Sequence, residues 1–457
     1  MLREVGTHGG GLSRLTRPMN PSRHNILTRL HDRDEHLVVN LLSGHADLLS
    51  ETEAAGLGGG ASASPELVGH GYVVDAEQET KVYRQRYLEA LAARERDEVQ
   101  IFFAPTYACN FACDYCFQNE YGAPKQPVTS EVITAFFAYV DGHFAERRKY
   151  VTLFGGEPLL ATPHARAAIE QVVTGLAARG IDLSVVTNGY HLVDYLDVLA
   201  RARVREIQVT LDGVGAVHDA RRPLRGGGAT FERVVAAIDA ALLRELPVNL
   251  RVVVDRDNLG GLPDLARLCI DKGWTGNALF KTQLGRNYEL HTCQAESSRL
   301  FSRSDLHRAL YDLYRAHPHL WAFHRPAFSV SRQLVETGEL PEPLFDACPG
   351  CKTEWAFDYT GKIYPCTAMV GKPGEDVGTY YPHVTLREDR VAAWQDRDVL
   401  AIDACKSCPV QLACGGGCAA VAHHRTGKLD APDCRPVAEL LGLGVSLYRQ
   451  RQEETSS

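Results

Sequence analysis

Three cysteines on one short segment are the residues of this chain best suited to carry chemistry. Cys109, Cys113 and Cys116 stand at a C-x3-C-x2-C spacing directly after the apolar run 99–104. Three thiolates on one loop can hold three irons of a four-iron cluster, which leaves the fourth iron without a protein ligand. Because a closed structural metal site supplies four ligands, an open corner favours the binding of a substrate or cofactor. A zinc loop and three unrelated core cysteines are the alternatives.

A second group of eight cysteines follows Ala347. Its spacings are C-x2-C-x9-G-x4-C, then C-x2-C-x5-C-x3-C, and one more cysteine closes the set. Eight thiolates can fill two four-iron clusters, although C-x2-C pairs bind zinc equally well. Two further cysteines, Cys269 and Cys293, stand alone and are expected to be packing residues. The eight cysteines are Cys348, Cys351, Cys366, Cys405, Cys408, Cys414, Cys418 and Cys434.

An alternation of strands and helices must position the first cysteine loop. From residue 99, the pattern predicts six strands that alternate with segments of helical periodicity. Six β/α units imply an α/β fold with a parallel sheet curved as a partial (β/α)6 TIM-type barrel, in which ligands sit at the carboxyl ends of the strands. The predicted strands are 99–104, 150–154, 182–187, 206–211, 248–254 and 278–284, and the predicted helices are 129–147, 162–179, 191–203, 230–245 and 260–272.

Three further motifs end the second, third and fourth predicted strands. The second strand ends in Gly155-Gly156-Glu157-Pro158. Paired glycines let the backbone approach a ligand closely, and Glu157 adds a carboxylate that can accept hydrogen bonds from an ammonium group. Asn188 ends the third strand, and Thr210 ends the fourth in Thr-Leu-Asp-Gly. We therefore expect these motifs to meet the cysteine loop at one end of the sheet.

The barrel is predicted over 99–325, between two smaller domains. Residues 21–98 predict a small α+β module in which 24–30 and 36–42 form a hairpin ahead of short helices. Residues 326–450 predict a cysteine-rich iron–sulfur domain at the C-terminal side. Residues 1–20 are expected to be a mobile tail and residues 451–457 a second tail.

Composition excludes several classes of partner. The 457 residues carry a net charge of −8 with no basic block, which argues against nucleic acid. No apolar run approaches the ~20 residues of a membrane span, and residues 1–20 lack the apolar core of a signal peptide. We expect a cytoplasmic protein, in which thirteen cysteines indicate metal sites rather than disulfides.

Together these motifs resemble those of the radical S-adenosylmethionine (SAM) enzymes. The cysteine spacing, the aromatic before its last cysteine and the Gly-Gly-Glu-Pro motif carry the resemblance. In that family the open iron chelates the amine and carboxylate of SAM, and one electron cleaves the sulfonium to release a 5′-deoxyadenosyl radical. The resemblance implies a one-electron donor such as a flavodoxin or ferredoxin.

The same resemblance implies a role for each residue of the SAM site. Glu157 would bind the methionine amine, Asn188 would line the ribose and Thr210 would bond the methionine carboxylate. Tyr115 would lie near the adenine. The implied SAM-binding residues are Tyr115, Phe117, Gly155, Gly156, Glu157, Asn188 and Thr210, and the implied catalytic ligands are Cys109, Cys113 and Cys116.

The C-terminal cysteines resemble the SPASM domain of radical enzymes that modify peptides and proteins. The resemblance implies two auxiliary four-iron clusters with interleaved ligands, and hence three clusters in all. The first auxiliary cluster would be held by Cys348, Cys351, Cys366 and Cys418, and the second by Cys405, Cys408, Cys414 and Cys434.

One departure from the family narrows the function. Anaerobic sulfatase maturases carry an aspartate base after the cysteine equivalent to Cys366, where this chain has Thr367. The resemblance therefore favours an enzyme that abstracts hydrogen from a ribosomally made precursor peptide and installs a crosslink. Sulfatase-type oxidation and a metal-stabilised binding module without catalysis are the alternatives. The type of bond formed (C–S, C–C or C–O) stays open, and so does whether the peptide is instead epimerised, decarboxylated or excised.

The module at 21–98 resembles a winged-helix peptide-recognition domain. That resemblance implies that it binds the leader part of a precursor peptide. An exposed strand edge such as 36–42 is expected to pair with the leader by strand addition. A purely structural cover for the barrel is the alternative.

Overall fold

A computed structural model describes residues 18–59, 64–116, 127–287 and 298–456 of the chain. Its N-terminal part contains one three-stranded and one two-stranded antiparallel sheet, followed by a long charged helix. Its elements are β1 (Met19–Pro21), β2 (Ile26–Arg29), β3 (His36–Asn40), β4 (His45–Leu49), α1 (Glu51–Gly59), α2 (Pro65–Gly69), β5 (Val73–Asp75) and α3 (Ala76–Arg96).

The hairpin of this module is present, but its second strand is not at an edge. β2 and β3 pair antiparallel as expected, and β4 pairs with the other side of β3. The expectation that 36–42 offers an exposed strand edge is therefore wrong. The physical reason is that His45–Leu49 supplies a third strand, so both rows of backbone groups on β3 are already paired.

The six strands of the barrel form one continuous parallel sheet in chain order. Most of its strands are buried on both faces, as parallel strands covered by helices must be. Threonine side chains cap the N-termini of the first two barrel helices, α4 (Ser130–His143) and α5 (Pro163–Arg179). The elements are β6 (Val99–Ala104), α4 (Ser130–His143), β7 (Lys149–Leu153), α5 (Pro163–Arg179), β8 (Asp182–Thr187), α6 (Leu192–Leu199), β9 (Val204–Thr210), α7 (Ala216–Arg221), α8 (Phe231–Leu243), β10 (Val248–Val254), α9 (Leu262–Asp271) and β11 (Phe280–Arg286).

The C-terminal part adds helices and extends the barrel sheet. The helices and strands are α10 (Arg303–Ala316), α11 (Leu320–Phe323), α12 (Ser331–Thr337), β12 (Glu354–Asp358), β13 (Lys362–Tyr364), β14 (Gly378–Thr379), β15 (Thr385–Leu386), α13 (Glu388–Gln395), α14 (Gln411–Cys414), α15 (Ala419–Thr426) and α16 (Val437–Ser456).

β12 joins the C-terminal part to the barrel by pairing parallel with β6, the strand that precedes the first cysteine loop. The resulting ten-stranded sheet runs β11-β10-β9-β8-β7-β6-β12-β13-β14-β15. The hydroxyl of Tyr107, in the cysteine loop, donates to Asp358 at the end of β12. The C-terminal cysteines are thus attached to the same sheet that positions the first loop.

The chain end is helical where a tail was expected. α16 continues to Ser456, so residues 451–456 belong to a helix. This helix packs against the N-terminal module, where the backbone N–H of His31 donates to Ser446 Oγ at 2.9 Å. Among the described residues, none of the helices has both the length and the apolar character needed to cross a membrane.

Candidate active site

One cavity collects the residues that the strand-end motifs contribute. It has a volume of about 580 Å³ and runs through the interior of the barrel. All three cysteines of the first loop line it, and so do Tyr115, Gly155, Gly156, Asn188 and Thr210. Phe117 lies outside the described residues. Glu157 lies beneath the cavity wall and is only 1% exposed.

The three thiols of the first loop lie close enough to repel one another when ionised. Burial, then the charge of Glu157, raises the pKa of Cys109 to about 12, and Cys113 and Cys116 add to the effect. Burial likewise raises the pKa of Cys113 to about 11, with Cys116 contributing. Bound iron supplies the positive charge that such thiols need to act as thiolates. The donor set therefore fits a four-iron cluster.

The paired glycines hold the cysteine loop against the end of β7. A Cβ on Gly156 would lie 2.1 Å from the carbonyl oxygen of Ala108, and one on Gly155 would lie 2.5 Å from that of Thr106. The N–H of Gly156 donates to the carbonyl of Thr106 at 3.0 Å, and the N–H of Glu157 donates to that of Ala108 at 2.8 Å. Only glycine permits this approach, and Gly155 also adopts a positive φ of 130°.

The carboxylate of Glu157 links the ends of two neighbouring strands. It accepts hydrogen bonds from the Thr187 hydroxyl at 2.6 Å, from the N–H of Asn188 at 2.7 Å and from the N–H of Leu159 at 2.9 Å. Burial raises the pKa of Glu157, and these hydrogen bonds oppose the shift. An ammonium group beside this carboxylate would stabilise its ionised form. Sequence reasoning did not foresee the three internal donors.

Asn188 ties the third strand end to the cysteine loop. Its Nδ2 donates to Asn110 Oδ1 at 2.8 Å and lies 3.8 Å from Cys109 Sγ. Its Oδ1 accepts from the N–H of Tyr190 at 3.0 Å. The side chain is 5% exposed, so these contacts define its position at the cavity wall.

Tyr115 is fixed by charged side chains from the Thr-Leu-Asp-Gly motif and the helix after it. Its hydroxyl donates to Asp212 Oδ2 at 2.5 Å and accepts from the guanidinium of Arg222. Asp212 Oδ1 also accepts from the N–H of Val253 at 2.8 Å. Arg221 forms a buried bidentate pair with Asp255, at 2.9 and 3.0 Å, and lies 5.3 Å above the Tyr115 ring. This network orients the aromatic ring beside the cysteines.

Arg251 is a cavity residue whose position the sequence left open. It stands on β10 directly beside Thr210 on β9, and both line the cavity. Its Nε is buried, and within the described part of the chain it has no hydrogen-bond partner. A buried guanidinium nitrogen without an acceptor favours an anionic group in the cavity. The signal in the sequence is an arginine in the middle of a strand whose other residues, except Asn249, are apolar.

The fold brings together the four cysteines of the first C-terminal set, which are Cys348, Cys351, Cys366 and Cys418. Burial, then the charges of Glu354, Cys348 and Cys418, raises the pKa of Cys366. Burial also raises the pKa of Cys351, with Cys348 contributing. Cys348, Cys351 and Cys366 are buried, and Cys418 is half-buried.

The fold also brings together the four cysteines of the second C-terminal set, which are Cys405, Cys408, Cys414 and Cys434. Burial raises the pKa of Cys405 to about 11, and Cys414, Cys408 and Cys434 all contribute through their charges. Cys434 is exposed at the surface. In the described ranges no three Cys, His, Asp or Glu side chains converge on a position suited to one metal ion. Thiolates of a four-iron cluster each bind a different iron, so they need not converge on one point.

The residue after Cys366 reaches the same cavity as the first loop. Thr367 and Ala368 line the cavity opposite the cysteine loop. The N–H and the hydroxyl of Thr367 both donate to Glu354 Oε1, at 2.9 and 3.2 Å. The cavity therefore extends from the first cysteine loop to the edge of the first C-terminal cysteine set.

The barrel segment matches a known family. Residues 103–269 match the family model described as the radical SAM superfamily. A probable GTP 3′,8-cyclase from Methanopyrus kandleri is 30% identical over 316 residues, which cover 67% of this chain and 95% of that protein. The chain belongs to the radical SAM superfamily. Membership implies a four-iron cluster and SAM.

Two other relatives show how far the similarity extends. The GTP 3′,8-cyclase of Rhodococcus opacus is 30% identical over 189 residues, which cover 40% of this chain and 51% of that protein. The chain thus spans about half the length of the first curated relatives that it matches. The mycofactocin maturase MftC of Mycobacterium ulcerans is 26% identical over 337 residues, which cover 72% of this chain and 85% of that protein.

Two solved structures share the fold. The structure of native anSMEcpe with bound AdoMet and Cp18Cys peptide superposes with a TM-score of 0.57 at 17% identity, covering 79% of this chain and 99% of that one. The structure of Streptococcus suis SuiB bound to precursor peptide SuiA superposes with a TM-score of 0.54 at 14% identity, covering 92% and 99%. The partial-barrel fold expected from the strand and helix pattern is therefore confirmed.

Proposed function

We propose that this protein is a radical SAM enzyme that abstracts a hydrogen atom from a residue of a ribosomally made precursor peptide and installs an oxidative crosslink. One observation carries the proposal. A single cavity is lined by the three loop cysteines on one side and by Thr367, next to Cys366, on the other. A peptide side chain in that cavity would lie between the SAM site and the C-terminal cysteine sets.

The chain's own residues would bind and orient the cofactors. Cys109, Cys113 and Cys116 would hold three irons of the catalytic cluster. When bound, the cluster and SAM supply one-electron cleavage of a sulfonium and, through it, abstraction of a hydrogen atom. Glu157 would accept a hydrogen bond from the methionine amine at Oε2, which has one acceptor site left. Tyr115, held by Asp212 and Arg222, would present its ring to the adenine.

The strand pair β9–β10 would receive a carboxylate. Thr210 offers a hydroxyl and Arg251 a guanidinium from adjacent positions of the register. Arginine binds a carboxylate through two parallel hydrogen bonds, which fixes the orientation of the bound group. Asn188 would line the ribose from the neighbouring strand β8.

The C-terminal cysteines would hold two auxiliary clusters, with the interleaved ligand sets given above. A crosslink removes two hydrogen atoms from the peptide. One leaves as a hydrogen atom, and the other leaves as a proton and an electron. Iron held by these cysteines would supply redox capacity for that electron. A flavodoxin or ferredoxin is the proposed source of the first electron.

Thr367 and two relatives support a peptide maturase over sulfatase-type oxidation. The side chain of Thr367 cannot serve as a base at neutral pH. Among the relatives, MftC is named a mycofactocin maturase, and SuiB was solved bound to a precursor peptide. The bound peptide of anSMEcpe also supports a peptide substrate.

The test is an anaerobic incubation with SAM, a reductant and a candidate precursor peptide chosen from any short reading frames beside this chain, with GTP in a parallel tube. We expect 5′-deoxyadenosine to form and the peptide to lose the mass of two hydrogen atoms. Matched protein carrying Cys109→Ala, Cys113→Ala and Cys116→Ala should form neither product. Consumption of GTP with an unchanged peptide would refute the proposal in favour of the activity named for the cyclase relatives.

A further inference from the structure

A cavity of about 540 Å³ lies along β11, the last strand of the ten-stranded sheet. Residues Thr282 to Arg286 of the strand form one wall. The opposite wall comes from α10 and from the segment before α12, with Arg435 and the start of α16 closing one end. Two further cavities, of about 680 and 730 Å³, adjoin it and share some of its lining residues. Together they form a groove that follows the whole strand, here called the β11 groove.

The backbone of β11 is unpaired on the side of this groove. The N–H of Val248 donates to the carbonyl of Leu279, and the N–H of Asn287 donates to the carbonyl of Val254, both at 2.8 Å. In a parallel ladder, alternate residues face one neighbour, so the odd-numbered residues of β11 bond to β10 and the even-numbered ones face away.

Thr282 and Leu284 therefore present N–H and carbonyl groups to the groove. Across the described ranges, no backbone hydrogen bond reaches either residue from that side. A row of unpaired strand groups is a template for pairing with another extended segment. β3 of the N-terminal module is paired on both sides, so it cannot accept a further strand. β11, which is also longer than β3, has one unpaired side and is the candidate for strand addition.

The charge of the groove selects the kind of segment. Five arginines line the main cavity, and its described lining contains no aspartate or glutamate, while Asp305 lines one of the adjoining cavities. Arg303 is paired with Asp433, while Arg325 and Arg332 share Glu336 at 3.1 and 4.0 Å. Arg435 forms no ion pair within the described residues. This excess of positive charge contrasts with the net charge of −8 on the whole chain.

We propose that the β11 groove binds an extended acidic segment of the substrate peptide, which adds to the sheet as an eleventh strand. Main-chain hydrogen bonds from Leu284 would supply affinity, and the arginines would select acidic side chains. The groove shares β11 with the barrel, whose interior is lined by Lys281 of that strand. An anchored segment would thus lead the adjoining part of the peptide towards the candidate active site. This inference rests on the proposed function.

The test measures binding of a labelled synthetic peptide to the reconstituted full-length protein by fluorescence anisotropy. The probe alternates glutamate and threonine over about eight residues, enough to cover one strand of ordinary length. A lysine–threonine peptide controls for charge, and a probe N-methylated at alternate residues controls for strand pairing. We expect only the unmodified acidic probe to bind well.

Two variants locate the probe. Leu284→Pro removes an N–H that the ladder to β10 does not use, which an edge strand tolerates, and Leu284→Ala keeps that N–H. We expect the proline variant to raise the Kd about fivefold over the alanine variant. Arg332→Gln with Arg435→Gln should raise the Kd about tenfold or more, whereas the distant surface change Arg244→Gln should not. If Leu284→Pro does not fold, the arginine variants decide.

Equal binding of the lysine probe, or a Kd unaffected by the arginine variants, would overturn the inference. Its failure is distinguishable from that of the proposed function because binding requires no turnover. If a precursor peptide is modified but its Kd is the same for these variants as for the unaltered protein, the groove inference alone is refuted. A probe that binds as expected, together with a precursor peptide that is never modified, would refute the proposed function alone.

Discussion

Replacing Glu157 separates two roles that the structure gives to one carboxylate. Glu157→Ala removes the acceptor of the buried N–H groups of Asn188 and Leu159. Each buried donor left unsatisfied costs about 1–3 kcal/mol, so the loss of two should reduce the free energy of unfolding by about 2–6 kcal/mol. Glu157→Gln keeps the shape and one acceptor oxygen, and should cost about half as much.

Both substitutions should also weaken SAM binding, because the amine loses a charge-assisted hydrogen bond. Such a bond contributes about 1.5–3 kcal/mol, which corresponds to a rise of about ten- to hundredfold in Kd. Thr187→Val is the matched control. It removes a donor to Glu157 Oε1 without changing the charge, so it should lower stability but change the Kd less than about threefold.

The assay is equilibrium dialysis of SAM against anaerobically reconstituted protein, with urea unfolding on the same samples. If Glu157→Gln bound SAM with unchanged affinity, the carboxylate would not contact the amine. If Glu157→Ala unfolded at the same urea concentration as the unaltered protein, the three hydrogen bonds would not join the strand ends as described.

Three further outcomes follow from the described contacts. The anaerobically reconstituted protein should contain about twelve irons, and zinc in place of iron by elemental analysis would contradict the C-terminal assignments. Gly156→Ala should displace the cysteine loop, lower stability by about 1–3 kcal/mol and release only the catalytic cluster's iron, measured with melting curves; full iron retention would contradict this. Burial and then Arg23 lower the pKa of His24 to about 4, so the stability that neutral His24 contributes is present above pH 6.5 and is lost as pH falls towards 4. Between pH 7 and pH 5, the free energy of unfolding should fall by about 2 kcal/mol less in His24→Gln than in the unaltered protein. An equal fall in both proteins would disprove the burial argument.

The barrel strands were predictable because short segments rich in apolar and β-branched residues alternate with segments of helical periodicity. The bounds of β6, β8 and β10 agree with the runs 99–104, 182–187 and 248–254. Strand β4 was missed because His45–Leu49 lacks alternation and carries a histidine and an aspartate. That one omission changed β3 from a central strand into a supposed edge. Edge or centre is a property of the whole sheet, which no single segment reveals.

The residues of the candidate site were easier to find than their contacts. Motifs at strand ends identified Asn188 and Thr210 because parallel strands bring their carboxyl ends together. Asp212 lay within the Thr-Leu-Asp-Gly motif, but its contact with Tyr115, which Arg222 shares, depends on the packing of α7. The pairing of β12 with β6 joins segments about 250 residues apart, and nothing local in either segment specifies it.

In the proposed reaction, a hydrogen atom passes from the peptide to the 5′-deoxyadenosyl group. The direct measurement uses a precursor peptide deuterated at carbon, incubated anaerobically with reconstituted protein, SAM and reductant. We expect mass spectrometry to show that 5′-deoxyadenosine gains one deuterium while the peptide becomes crosslinked. Crosslinked peptide accompanied by 5′-deoxyadenosine free of deuterium, whichever residue carries the label, would contradict the claim.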